Sequence, residues 1–504
     1  MSRAARVARN TSWNLVGALL PIPVALVCIP LLVDGLGVER FGVLGIAWML
    51  LGYFGMFDFG LAQSTTKSVS ARVAAGAQGQ VRALALASTF LHAVLGAVGG
   101  VVLALLAPWL AAGVFNLPPQ LIGETRTALY WLAASIPAIV LTAAMRGVLE
   151  GLQRFDLVNL IRIPASIVNY AGPVIALYFG SGLPLVVAVI VAARFAVMAA
   201  YALACIAVVP GGDGTGIGRR DVIGLVSYGG WLTATNLVNP LIIAADRFVI
   251  AASVSAAAVA FYVTPYEIIT KAWILSASLL GALFPVFSGM AATDPASLRA
   301  ACRSALVYLL AAAAPLIVVL VAAADLLLGW WLGPEFRDGS AGVARLLAVG
   351  ILINIAAQVP LTALNAMGRA DVTTAIAVLE LPIYVAAIWY VAARYGIDGV
   401  AAVWTLRAVV DAFLLFGAAH LLVPAAGAAR SARRFGLAPV ATLCTFLAAA
   451  WWLAHSMPAA AAARLGVVAL LLAVLLAWEW RVLLGESDRE NFKALCNRLL
   501  TSRA

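Results

Sequence analysis

The sequence predicts an all-α integral membrane protein of about fourteen transmembrane helices, built from two copies of one helical unit. Three observations carry this. The chain is 64% hydrophobic and only 11% charged over 504 residues, whereas a soluble domain carries about 25% charged residues. Apolar runs of about 20 residues, the length that spans a bilayer, recur from end to end. The second half also repeats the charged punctuation of the first. LEGLQRFDLVNLIRIP (Leu149–Pro164) is echoed by LNAMGRADVTTAIAVLELP (Leu364–Pro382), with Leu149, Arg154 and Asp156 falling on Leu364, Arg369 and Asp371 at one constant offset. Arg82 matches Arg299, and Phe41-Gly42 matches Phe261-Tyr262. A membrane protein made of two such copies is usually a transporter with its substrate site between them.

Taken in order, the apolar runs place helices over 12–33, 42–66, 83–108, 125–146, 157–179, 184–208, 222–251, 256–290, 302–325, 340–365, 372–393, 398–423, 436–455 and 464–484. The first follows Arg3, Arg6 and Arg9 as a secretory leader would, but it is too long, contains Pro21, Pro23 and Pro30, and lacks a cleavage pattern. It is expected to be retained. The 256–290 run is overlong and interrupted by Pro265 and Pro285, so it should bend or tilt. The longest connections, 209–221 and 424–435, are rich in glycine, proline and arginine and read as linkers.

Basic residues set the orientation. With a cytoplasmic N-terminus, Arg40, Arg126, Arg337, Arg345, Arg394 and Arg464 fall on outer segments, and Arg194, Arg247, Lys271 and Arg407 fall inside apolar runs. The rest of the 32 basic residues gather on the cytoplasmic side, Arg219, Arg220, Arg430, Arg433 and Arg434 among them. Both termini are therefore expected to be cytoplasmic. No basic run is dense or interleaved with aromatics, which argues against nucleic acid as a partner. The five cysteines are scattered and suit small core hydrophobes, and the three histidines form no metal motif. No nucleotide-binding GxxxxGK[ST] loop is present.

Asn14–Ser70 resembles the opening of bacterial polysaccharide-export flippases, the O-antigen and exopolysaccharide branch of the multidrug/oligosaccharidyl-lipid/polysaccharide exporter superfamily. The pieces that carry the likeness are Asn14, the connector Leu36-Gly37-Val38-Glu39-Arg40-Phe41-Gly42, and Asp58-Phe59-Gly60-Leu61 running to Lys67. Asn239–Ala251 (NPLIIAADRFVIA) is similar to the element that opens the family's C-terminal lobe. The resemblance implies two six-helix lobes around a central cavity, here 1–208 and 222–423. Two extra helices (436–484) and a cytoplasmic tail (485–504) would follow. It also implies polyprenyl-pyrophosphate-linked glycans as substrates, moved from the cytoplasmic to the outer leaflet, with the pathway's polymerase and glycosyltransferases as partners. No cofactor is implied, though proton or sodium coupling is open.

A sugar headgroup stripped of water costs several kcal/mol per unpartnered polar group, so a wet cleft is required, with cations for the pyrophosphate. Charges inside apolar runs are the candidates, because a lipid-facing charge costs about 2.5–3.5 kcal/mol at mid-helix. For the substrate cleft these are Arg194, Arg247, Arg407, Lys271 and Lys67. For ion coupling they are Asp58, Asp246, Glu267, Glu380 and Asp411. Glu267–Lys271 and Arg407–Asp411 stand at i,i+4 and could instead be self-neutralised structural pairs. Arg194 and Arg407 hold nearly matching places in the two halves and could flank an anionic linker, or snorkel to an interface. Asp58 suits either a cation site or a structural hydrogen bond to Ser64, Thr65 or Thr66. Arg154, Asp156, Arg369 and Asp371 are assigned to a cytoplasmic gate. The alternatives are a lipid II flippase or a cation-coupled multidrug antiporter of the same fold, and a glycan polymerase or ligase. A drug antiporter would need acids to dominate the cleft. The enzymes need a sizeable external loop, and the longest outer connection, around Leu326–Ser340, is short.

Overall fold

The computed structural model describes residues 20–56, 60–180, 182–209, 242, 244–423, 437–456, 461–483 and 489–490. The helices are α1 (Pro21–Leu36), α2 (Val38–Met56), α3 (Leu61–Ala74), α4 (Val81–Trp109), α5 (Pro119–Gly151), α6 (Phe155–Leu177), α7 (Leu183–Val208) and α8 (244–253). They continue with α9 (Ala256–Ile269), α10 (Trp273–Thr293), α11 (Pro295–Leu332), α12 (Pro334–Ala366), α13 (Ala370–Leu422), α14 (Leu437–Ser456) and α15 (Ala461–Trp478). With α2–α3 and α9–α10 each taken as one broken span and α13 as two, these make fourteen helical spans. Nine helices among the described residues are long and apolar enough to cross a membrane. Large apolar side chains such as Leu105, Phe413 and Leu421 are exposed on their outer faces, where lipid removes the cost that water would impose. This is a multi-pass membrane protein.

Several helices outrun the runs that predicted them. The run at 302–325 becomes α11, with 38 residues, about 57 Å at 1.5 Å per residue, so it tilts or projects past a core about 30 Å thick. The expected single helix over 42–66 is two, α2 and α3, with Gly60 at φ 72° opening the second. The 256–290 run is broken by a 3-10 turn over Thr270–Ala272 that separates α9 from α10, while Pro265 and Pro285, expected to interrupt it, lie inside those two helices. Between 370 and 422 the helix reverses at Gly396, whose φ of 59° and ψ of −149° are open only to glycine.

The chain divides into two compact units, Met1–Ala260 and Phe261–Ala504. In the first, α4 and α5 pack side by side, α5 also meets α3 and α7, and α6 pairs with α7. Close approach of α3 and α5 is set by Gly147 and Gly151. A methyl on either would fall 2.7 Å from Ala62 O or Val69 Cβ. The gap is bridged by hydroxyls: Thr66 Oγ1 donates to Gly147 O and Ser70 Oγ to Gly151 O, both at 3.1 Å. The end of α8 belongs to this unit. The Asn116 backbone N–H donates to Ala251 O at 2.8 Å, and its amide to Val254 O at 2.6 Å. The expected 209–221 linker, apart from Val209, lies outside the described residues, as do Asp58 and the 424–435 linker.

The second unit is built on α11, α12 and α13, with α10 against α11 and α12, and α14 and α15 against α11. A buried ion cluster pins the last hairpin. Arg464 of α15, 2% exposed, donates to Asp325 of α11 at 2.7 and 2.9 Å and to Ala322 O at 2.6 Å. Arg345 of α12, 7% exposed, reaches the same carboxylate at 2.7 Å. Both arginines, which the sequence assigns to outer segments, are buried in the protein, because a carboxylate in an apolar helix must be hydrogen-bonded to be tolerated.

Candidate functional site

The polar surface of the first unit lies on α6. Asn159, Arg162, Ser166 and Asn169 stand three or four residues apart and so share one face of that helix. Arg162 donates to Asn159 Oδ1 at 2.8 Å. Arg194 arrives from α7 and donates to Asn169 Oδ1 at 2.8 Å, half-buried. A guanidinium held by a neutral amide keeps its charge, and it has donors to spare for a phosphate fork.

In the second unit Arg407, in the second arm of α13, meets a different kind of partner. Its guanidinium lies 3.3 Å from Glu380 Oε2 of the preceding arm, 5.3 Å over the Tyr384 ring and 5.9 Å from Trp404. The spacing left an Arg407–Asp411 pair possible. The ion pair goes to Glu380 instead, 27 residues away, and Asp411 is half-buried one turn beyond Arg407. Trp404 also meets Tyr266 edge-on at 6.0 Å. The ion pair offsets the charge of Arg407, and two rings stand within cation–π range of it.

A second surface of this unit is neutral. A cavity of about 430 Å³ between α10 and α12 is lined by Trp273, Ser276, Phe284, Gln358 and Thr362, among others. Trp273 Nε1 donates to Asn354 Oδ1 at 3.0 Å, and Gln358 Nε2 approaches the same oxygen at 3.4 Å. An aromatic face beside amides and hydroxyls is the chemistry that meets a sugar, whose ring presents C–H groups on one side and hydroxyls around its edge. This surface escaped a search for charges. Its signal was in the sequence all the same, since Asn354, Gln358 and Thr362 recur every four residues within an apolar run.

The other expected residues are distributed as follows. Lys271 pairs with Glu267 at 3.6 Å, as their spacing suggested, with both side chains more than a third exposed. Asp246 and Arg247 are buried in α8, at 0% and 7% exposure, and Asp246 Oδ1 accepts the Arg247 backbone N–H at 2.7 Å. Lys67 is exposed on α3. Thr65, expected as a partner for Asp58, bonds to Ser88 at 2.6 Å, beside the buried His92.

The turns at Arg154 and Arg369 are the same structure twice. Each arginine binds the aspartate two residues on, Arg154 to Asp156 at 2.9 Å and Arg369 to Asp371 at 3.0 Å. Each donates its backbone N–H five residues back, to Leu149 O at 2.8 Å and to Leu364 O at 2.9 Å. The residue before each is left-handed: Gln153 at φ 58° and Gly368 at φ 75°. The hydrogen bond to the neighbouring aspartate raises the pKa of both guanidiniums, so both stay charged.

The family of polysaccharide biosynthesis proteins matches residues 7–291. This chain belongs to that family. It is 28% identical over 412 residues to a Shigella flexneri protein named "Putative O-antigen transporter", covering 81% of this chain and 96% of that one. The fold is that of the MOP superfamily. An inward-facing multidrug resistance MATE family transporter matches with a TM-score of 0.68 at 14% identity, over 81% of this chain and 98% of its own. The lipid II flippase MurJ, in an inward closed conformation, matches with a TM-score of 0.67 at 12% identity, over 94% and 99%. These relatives are transporters and flippases rather than enzymes.

Proposed function

We propose that this protein flips a polyprenyl-pyrophosphate-linked oligosaccharide from the cytoplasmic to the outer leaflet of the bacterial inner membrane, for O-antigen, capsule or exopolysaccharide synthesis. The observation that carries the reading is membership of the polysaccharide biosynthesis family in a chain of transporter fold. The side chains support it. Arg194 offers a charged fork to the pyrophosphate, and Trp273 and Gln358, both held by the buried Asn354, offer stacking and an amide hydrogen bond to sugar.

Residues 1–208 and 222–423 act as the two lobes and rock about the cargo, opening to either side in turn. The matched Arg154–Asp156 and Arg369–Asp371 turns serve as the cytoplasmic gate, and both termini are cytoplasmic. Either a proton or sodium gradient, using Asp58, Asp246, Glu267, Glu380 or Asp411, or removal of product by the polymerase outside drives the cycle. Arg247, Lys271 and Lys67 supply further positive potential, and glycosyltransferases of the pathway deliver the cargo.

The test is transport of a fluorescent polyprenyl-pyrophosphate oligosaccharide in proteoliposomes, read as protection from an external glycan-oxidising reagent. Flipping above that of empty vesicles supports the reading. Flipping of a cationic drug or of lipid II alone overturns it. Cysteines crosslinked across the two gate turns should stop transport, and undiminished transport by a verified crosslink rules out rocking there.

A further inference from the structure

The second unit holds a cavity of about 540 Å³ among the first turns of α11, the last turns of α12 and the end of α13. Its lining carries three nitrogen bases, Arg299, Arg303 and His420, above an apolar trough that includes Leu306, Phe413 and Phe416. Among the described residues that line it, none is a carboxylate. The neighbouring Asp294 is turned onto the start of α11, where its carboxylate accepts from Ser297 Oγ at 2.5 Å and from the Ser297 N–H at 3.2 Å.

Arg299 donates to the carbonyls of His420 and Val423, closing the last turn of α13. Those contacts satisfy helix-end carbonyls without cancelling the positive charge as a carboxylate would. The trough opens outward, with Phe413 77% exposed on the apolar surface. Arg430, Arg433 and Arg434 follow α13 closely in the sequence.

A cationic head region over a trough open to hydrocarbon is the complement of one kind of molecule, an amphiphile with an anionic head. Basic pockets between transmembrane helices take acidic lipid headgroups in this way, and arginine's planar fork suits the phosphate. We propose that this cavity binds an anionic phospholipid of the surrounding leaflet, its phosphate between Arg299 and Arg303 and an acyl chain along Leu306, Phe413 and Phe416. Its lining shares no residue with the Trp273–Gln358 cavity, and the proposal does not depend on the cargo. A bound lipid there would tie α11 to the end of α13.

Native mass spectrometry of the full-length protein with equimolar phosphatidylglycerol and phosphatidylcholine tests the proposal. Phosphatidylglycerol should be retained preferentially. Arg303→Gln should lower that preference about fivefold, the worth of one basic side chain near a charged lipid, and Arg303→Lys should keep most of it. Inorganic phosphate at the same concentration should not displace the lipid.

Equal retention of both lipids overturns the proposal, and so does an undiminished preference in Arg303→Gln. Displacement by one equivalent of a polyprenyl pyrophosphate overturns it too, reassigning the cavity to cargo. Should Arg303→Gln not fold, Phe416→Trp places a reporter in the trough of an otherwise unaltered chain. The added fluorescence of that variant should be quenched more by brominated phosphatidylglycerol than by brominated phosphatidylcholine in vesicles. Equal quenching overturns the proposal.

Discussion

Arg194 lies near the middle of α7 and Arg407 near the middle of the second arm of α13, and their partners differ in kind. Arg194 is held by the neutral Asn169, and Arg407 by the carboxylate of Glu380. A guanidinium bonded to an amide remains a net positive charge, whereas one paired with a carboxylate inside a membrane protein becomes a fixed dipole. At these two places the first unit presents charge, and the second an ion-paired arginine among aromatic rings. The difference extends inward. Around Thr65, Ser88 and His92 the first unit buries hydroxyls and a ring, and in α8 the adjacent Asp246 and Arg247, while the second buries the Asp325–Arg345–Arg464 cluster that joins three helices.

The largest effect is expected where the second unit's ionic character is structural. Asp325→Ala leaves two nearly buried arginines without their carboxylate, a loss of about 3–5 kcal/mol. Thermal unfolding of the purified protein should fall sharply, and limited proteolysis should cut first near α14 and α15, which Arg464 pins. Unchanged unfolding would mean the cluster is solvated and the two units are less different than they look.

The next test exchanges the arginine partners. Asn169→Asp gives the first unit the second's ion pair. If the net charge of Arg194 is what the cargo's pyrophosphate meets, flipping should drop about tenfold, equivalent to ~1.4 kcal/mol, with expression unchanged. Glu380→Gln gives the second unit the first's pairing. It should cost about 1–3 kcal/mol of stability, because a buried charged group loses its best partner, with a smaller effect on flipping. Equal flipping defects in the two variants would show that the arginines act alike. Arg194→Lys should recover part of the rate lost in Arg194→Ala if charge suffices, and little if the planar fork is needed.

The sequence made the repeat and the helices legible because both rest on local signals: run length, proline, and the spacing of Leu149, Arg154 and Asp156 against Leu364, Arg369 and Asp371. The Glu267–Lys271 pair was legible for the same reason, since i,i+4 neighbours meet on any helix. Contacts made across helices were not. Nothing in the spacing links Asp325 to Arg345 and Arg464, or turns Arg407 from Asp411 toward Glu380. The break at Gly60 is a backbone choice that glycine permits at many places and the fold uses at few, whereas the turn at Gly396 falls between the two helices expected at 372–393 and 398–423. The amide surface at Asn354 and Gln358 was readable, but only to a search that looked beyond charge.

The smallest effect concerns a place where the two copies differ in residue type while keeping the same turn. Gln153 and Gly368 precede the paired arginines, and both are left-handed, at φ 58° and 75°. Each lets the chain leave one helix and start the next, with the arginine's N–H bonded five residues back. Glycine enters this region without penalty, whereas a residue with a Cβ pays about 1–2 kcal/mol. The first unit's turn is thus the strained one. Gln153→Gly should relieve that strain, but glycine also widens the unfolded ensemble, which returns part of the gain. The net stabilisation should be about 0.5–1 kcal/mol. Gly368→Gln should destabilise by a similar amount. Nothing lies within 4 Å of the added Cβ at Gly368, so the loss would be conformational rather than steric. Paired thermal unfolding curves for the two variants check this. Opposite shifts of similar size support one turn used twice, whereas shifts of the same sign would mean the two turns are held by different forces.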